Sequence, residues 1–220
     1  MERKFNFSEG EYYHVYNRGN NKSNIFLDNR DKDRFILLLY ICNNSSFAVV
    51  KDLPKSPLGW SLGKIKRDET IVDIGAYCLM SNHFHILLHE KKEGGITKFV
   101  SKFSTGYSMY FNKRNQRTGS LFEGRFKAEH VDNDEYLKYL FAYIHLNPIS
   151  LIEPEWKEVG ITNISSVKKY LSSYKYSSYA DYLGEEREEK LILDKEKFPE
   201  YFEDFTEFEN FIDEWINYKS

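Results

Sequence analysis

The chain has 220 residues, enough for one substantial core and a small second unit. No apolar run approaches the ~20 residues of a membrane span, and the polar first residues lack a signal-peptide pattern. Two cysteines, Cys42 and Cys78, stand in apolar runs without CxxC or metal spacing, which argues for reduced core thiols in a cytoplasmic protein rather than a disulfide framework. The net charge of −3 conceals a split: 26 Lys and Arg face 21 Asp and Glu through Gly184, whereas 4 face 13 from Glu185 to Glu214. A basic body of this kind suits a polyanionic partner such as nucleic acid.

Residues 12–18 read as a strand closed by the turn Gly19-Asn20-Asn21. Residues 31–42 read as a helix with Phe35, Leu38, Leu39 and Cys42 on its apolar face. Residues 70–80 and 83–90 form two strands joined around Ser81-Asn82, an antiparallel hairpin. An amphipathic helix over 96–112 carries Ile96, Phe99, Val100, Phe103, Tyr107 and Tyr110. A strand follows over 124–131, and then a helix over 133–146 with Leu137, Leu140, Phe141 and Ile144 as its core face. That last helix opens on the acidic cap cluster Asp132-Asn133-Asp134-Glu135 and is stopped by Pro148.

The order β-α-β-β-α-β predicts an α+β domain with a ferredoxin-like antiparallel sheet and helices on one face, with the 133–146 helix added. Residues 1–150 form this domain, and 151–220 form a C-terminal extension that is mostly helical and acidic. Within it Phe198, Tyr201, Phe202, Phe205, Phe208, Phe211, Ile212 and Trp215 recur with helical periodicity. A solvated terminal helix is the plain expectation there, and a shield over a nucleic-acid channel is the alternative.

The chemistry concentrates in two segments. In Asn82-His83-Phe84-His85-Ile86 the two histidines fall on one strand face, because strand side chains alternate. Imidazoles inside an apolar strand need partners, and both a divalent metal and core hydrogen bonds supply them. In the second segment Tyr143 and Asn147 lie four apart on one side of the last helix. A tyrosine there either packs in the core or stands as a nucleophile beside the histidines. His14, His89, His130 and His145 are given no metal role.

Taken together, these segments resemble the IS200-like transposases of the single-tyrosine HUH class, and among them the REP-associated tyrosine transposases. The carriers are Tyr13-His14-Val15-Tyr16-Asn17-Arg18-Gly19, the run Ala76 through His85, the block Gly119 through Ala128, and Tyr143-Ile144-His145-Leu146-Asn147-Pro148. The resemblance resumes at 174–179. It departs over 43–69, an insertion containing Pro54, Pro57, Lys51, Lys55, Lys64, Lys66 and Arg67, which reads as a basic arm or a surface loop.

What the resemblance implies is metal-assisted cleavage of single-stranded DNA in the cytoplasm of a bacterium. His83, His85 and Asn147 correspond to the ligands of a divalent metal, with Mg or Mn the expected ion, and Tyr143 corresponds to the nucleophile that forms a 5′-phosphotyrosine link. A phenol with a pKa near ~10 needs such help, and a cation at the phosphate stabilises the charge that develops there. Two neutral imidazoles and an amide oxygen leave that cation's charge intact and suit Mn or Mg. The covalent link conserves the phosphodiester's energy, so rejoining requires no ATP, and no P-loop pattern occurs.

Asn17 and Arg18, together with Lys113, Arg114, Arg117, Arg125 and Lys127, are the candidate DNA-binding residues, holding the backbone rather than reading bases. The implied partner is single-stranded DNA with hairpin elements, in a monomer or a homodimer. The alternative of a different class is a domesticated, non-catalytic module that grips a hairpin or single strand. A metal hydrolase without a covalent step, in which Tyr143 only orients water, is a third reading.

Overall fold

In the computed structural model, which describes residues 6–46, 53, 55–56 and 59–218, strand β1 (Tyr12–Arg18) lies inside a four-stranded sheet. Its neighbours are β5 (His83–His89) and β6 (Lys127–Val131), and β4 (Asp73–Leu79) pairs with the far side of β5. The order is β4-β5-β1-β6 and every pair is antiparallel. β6 is shorter than the strand expected over 124–131. Gly124, at φ +79, turns the chain back on Phe122, so pairing with β1 begins only at Lys127.

Helices α1 (Asn29–Cys42) and α2 (Gly95–Arg114) cover one face. Phe35, Phe84, Phe103 and Tyr107 meet there at ring separations of 5.0–5.6 Å, and all four are fully buried. Aromatic rings in edge and tilted contact supply the area that holds this layer together. Helix starts follow local chemistry. Asp28 caps α1 by accepting from the Asp31 amide, and the buried Glu90 carboxylate accepts from the Ile96 amide at 2.7 Å at the head of α2. Asn133 caps α3 (Asp134–Leu146), accepting from the Tyr136 amide. α3 packs on the opposite sheet face, so the sheet is sandwiched between α1/α2 and α3.

The insertion over 43–69 carries a short hairpin, β2 (Lys55–Ser56) and β3 (Gly59–Trp60). Lys51, Pro54 and Pro57 fall outside the described residues. The second half of the insertion is docked: Leu62 and Ile65 are buried, Tyr40 Oη donates to the Ile65 carbonyl, and Glu188 accepts from the Leu62 amide. Arg67 lies over the Tyr40 ring, so this cation is spent on packing.

The C-terminal part wraps the molecule. Residues 174–179 run beside the edge strand β4, where the Leu79 amide donates to Tyr176 and the Ser178 amide donates to Tyr77. This covers an edge that would otherwise invite pairing with another chain. Arg187 fastens the wrap through the buried Asp181 carboxylate and the carbonyls of Lys175 and Ser177. Gly75, at a bulge in β4, admits the Phe198 ring; a Cβ there would come within 2.6 Å of it.

α4 (Trp156–Val159), α5 (Ile164–Ser173), α6 (Tyr179–Tyr182) and α7 (Phe205–Tyr218) complete the extension. They build a second core on the outer side of α3, with Leu146, Ile149, Trp156, Val167, Leu171, Phe208, Ile212 and Ile216. The acidic stretch is therefore not one solvated helix. It passes through short 3-10 turns at Glu188–Ile192 and Lys195–Lys197 before α7, and α7 buries its apolar face completely at Phe208, Ile212 and Ile216. Among the described residues, no helix is long and apolar enough to cross a membrane.

Candidate functional site

The register of the sheet sets the site. Tyr16 pairs with His85 on one side and with Lys127 on the other, and Arg18 pairs with His83. Alternation then brings His14, Tyr16, Arg18, His83, His85, Lys127 and Glu129 to one face, the face that α3 covers. His83 and His85 sit with ring centroids 5.0 Å apart and planes nearly perpendicular. Tyr143 stands edge-on to His85 at 5.3 Å and to His14 at 6.0 Å. His85 and Tyr143, 58 positions apart in sequence, thus meet on one sheet face.

Each histidine is held by its Nδ1. That of His83 lies 2.6 Å from Asn82 Oδ1, and that of His85 lies 2.8 Å from His14 Nε2. Burial pushes the His83 imidazole down to about 4, with the nearby Lys157 and Arg18 adding to it. Burial likewise lowers His85 well below the ordinary range, reinforced by His14, His83 and Lys157. Both rings are therefore neutral near pH 7, and the Asn82 oxygen at His83 Nδ1 leaves the His83 Nε2 lone pair available.

Asn147 is buried and donates through Nδ2 to the Tyr143 carbonyl at 2.7 Å, which leaves Oδ1 as its acceptor. Burial raises the Tyr143 phenol above its usual range, partly offset by the Asn147 side chain. Lys157 lies with Nζ 4.7 Å from the centre of the Tyr143 ring.

Among the described residues, no group of three or more His, Cys, Asp or Glu gathers as a metal cage. The expected ligand set is of a different kind, two imidazoles and one amide oxygen. Its donor chemistry fits a divalent cation: two neutral rings on one strand face with Nδ1 engaged, and a buried amide whose nitrogen is already committed.

The candidate DNA-binding residues separate by location. Arg18, half-buried, and Lys127, exposed, lie on the site face in the cross-strand rows of His83 and His85; Arg18 is paired with Glu123. Arg125 is exposed in the turn before β6. Asn17 is buried, donating to the Gly124 carbonyl and accepting from the Arg18 amide, so it shapes the turn. Gly19 serves the same turn, since a Cβ there would collide with the Ser23 carbonyl at 2.0 Å. Lys113 and Arg117 are exposed at the end of α2, with Arg117 over the Phe111 ring. Arg114 is clasped by Asp28 and Asp31 and ties α2 to α1.

Four residues at the site are given no role by the sequence. His14 and Glu129 lie in strands whose pairing partners the sequence leaves open, and Tyr136 and Lys157 arrive from separate helices. Glu129 accepts from the phenols of Tyr16 and Tyr136, both at 2.8 Å. Its carboxyl is held down at about 2 by the His14 imidazole and these two phenols, against the effect of burial. For His14 alone a hint existed, its alternation with Tyr12 and Tyr16.

Residues 58–147 match the family of proteins described as "Transposase IS200 like". The matched stretch contains His83, His85, Tyr143 and Asn147. The chain is also similar to a solved structure, a REP-associated tyrosine transposase bound to a REP hairpin. The identity is 13%, the TM-score is 0.46, and the alignment covers 84% of this chain and 85% of that one. No curated protein matches the chain.

Proposed function

We propose that this protein is a transposase-like enzyme that nicks and rejoins single-stranded DNA through Tyr143, on a sheet of ferredoxin-like topology. The observation that carries the reading is the edge-on approach of the Tyr143 ring to His85 at 5.3 Å, on the sheet face that also bears His83. The match of residues 58–147 to the IS200-like family supports the same reading.

His83, His85 and Asn147 would hold a divalent cation, Mg or Mn, which when bound supplies charge stabilisation for a phosphate. The rest of the chemistry belongs to the chain. Tyr143 Oη attacks the phosphorus and loses its proton, and the bond from phosphorus to the 3′ oxygen breaks. A 5′-phosphotyrosine link and a free 3′-hydroxyl result. Attack by a 3′-hydroxyl on that link reverses the step, returns the proton to the phenolate and restores a phosphodiester.

The positive charge of Lys157 over the Tyr143 ring favours the phenolate once the proton leaves. Arg18 and Lys127, on the same face, hold the strand's backbone. The substrate class is single-stranded DNA flanked by hairpin elements, met in a bacterial cytoplasm. The test is incubation of the full chain with such DNA and Mn²⁺, followed by a denaturing gel. A protein–DNA adduct is the expected result. Strand cleavage without an adduct would leave a hydrolase, and binding without cleavage would leave a non-catalytic module.

A further inference from the structure

Beside Tyr143, on the side away from the histidines, lies an open groove of about 690 Å³ that the chemistry above does not use. α3 gives it Tyr139 and Tyr143, α4 gives Trp156 and Lys157, and α7 gives Trp215 and Tyr218, with Leu146 on the floor and Glu214 on the α7 rim. Its size is in the range of small-ligand sites. Its walls are aromatic faces rather than aliphatic side chains. Tyr139 stacks on Tyr143 at 5.7 Å and meets Trp215 edge-on at 5.6 Å. Tyr136 continues the ladder beyond Tyr139, with ring planes 14° apart.

Tyr139 and Tyr218 are exposed, at 40% and 79%, unusual for large rings that line a concavity. The cation of the groove is Lys157, whose Nζ lies over the rings of both Tyr143 and Trp156. Aromatic rings that line a groove beside an ammonium group match an unpaired nucleotide, whose base stacks while its phosphate meets the positive charge. The α7 wall is firmly placed, by the burial of Phe208, Ile212 and Ile216 and by the pair of Lys168 with Asp213.

We propose that this groove seats the unpaired base next to the phosphate that Tyr143 attacks, stacked on Trp215 against the exposed edge of Tyr139, with its backbone against Lys157. The proposal rests on the reading of Tyr143 as the nucleophile. On it, the C-terminal extension is part of the substrate site and not only a cover for α3.

The test uses the full-length Tyr143→Phe protein, which keeps the ring and cannot form an adduct, and a fluorescently labelled hairpin DNA with a single-stranded flank. One abasic position is walked through the flank, and affinity is read by anisotropy. One position is expected to weaken binding by roughly tenfold, the scale of a single base–aromatic stack. Trp215→Ala is expected to erase that dependence, and Tyr139→Ala, added separately, to weaken it, while both leave the affinity for the abasic DNA unchanged. Tyr139 is exposed enough that its variant keeps the fold even if removal of Trp215 disturbs α7, and circular dichroism checks both.

Equal affinity at every abasic position, or full dependence surviving in both variants, would overturn the proposal. So would the absence of any binding to this DNA. An adduct formed by the unsubstituted protein together with indifference to abasic sites would sink the groove and spare the nucleophile. Base dependence without an adduct would do the reverse.

Discussion

His14 Nε2 lies 2.8 Å from His85 Nδ1, and the two rings are nearly parallel with centroids 5.0 Å apart. Both residues are almost fully buried. One of the two nitrogens must donate. If His85 offers Nε2 to a cation, its Nδ1–H is the donor and His14 Nε2 the acceptor. His14 Nδ1–H then points toward Glu129, 4.0 Å away, which is the sense expected of an otherwise unpartnered buried donor. The His14–His85 contact thus sets the His85 tautomer on that premise, with the Glu129 carboxylate on the far side of the His14 ring.

This contact makes the first prediction. His14→Ala should weaken Mn²⁺ binding by about ten- to a hundredfold, the usual effect of losing an outer-shell partner, and His14→Gln should recover part of it. His83→Ala and His85→Ala should lose more, with the fold retained by circular dichroism. Titration calorimetry on the full chain decides. Equal Mn²⁺ affinity in all four variants would make these histidines ordinary core residues.

Tyr143→Phe removes one oxygen and leaves the ring that packs on Tyr139 and His85. Cleavage should fall by at least about three orders of magnitude, as for removal of other nucleophiles, while affinity for hairpin DNA stays within about twofold. A Phe variant that still yields the adduct would transfer the nucleophile to another residue.

Deletion of the residues after Gly184 tests the acidic extension. Its charge alone suggests that DNA binding would survive or improve. The structure reverses that expectation, because the deletion strips Phe208, Ile212 and Ile216 from the second core and Arg187 from its buried partner Asp181. Loss of one partner of such a pair alone costs about 3–5 kcal/mol. The truncated chain should therefore melt well below the full one or aggregate. A truncated body with an unchanged melting temperature would show that the second core contributes little.

Stability should also depend on pH through His145. This ring is wholly enclosed, bonded to Ser178 Oγ at 2.7 Å, and burial lowers it from 6.5 to about 3. Because the unfolded chain takes up the proton first, the contribution is fully present above pH 6.5. It is lost progressively as pH falls toward 3, at up to ~1.4 kcal/mol per pH unit. Chemical denaturation between pH 7 and 4 should show this slope, and His145→Asn should flatten it. Identical slopes in both proteins would place the pH dependence elsewhere.

Much of this molecule follows from local rules. The alternation of His83 and His85, the cap chemistry around Asn133, the four-residue spacing of Tyr143 and Asn147, and the stop at Pro148 depend on neighbours a few positions apart, so the sequence shows them directly. The order of strands and helices is legible for the same reason.

What the sequence could not decide is which distant segments meet. The contact of His14 with His85 spans 71 positions, and that of Ser178 with Tyr77 spans 101. Both depend on strand register and on which sheet face α3 covers. The acidic extension illustrates the limit. Its helical periodicity is visible in the residues, yet whether Phe208 and Ile212 face water or α3 is set by the apolar surface left open at Leu146 and Ile149. Only the folded chain presents that surface.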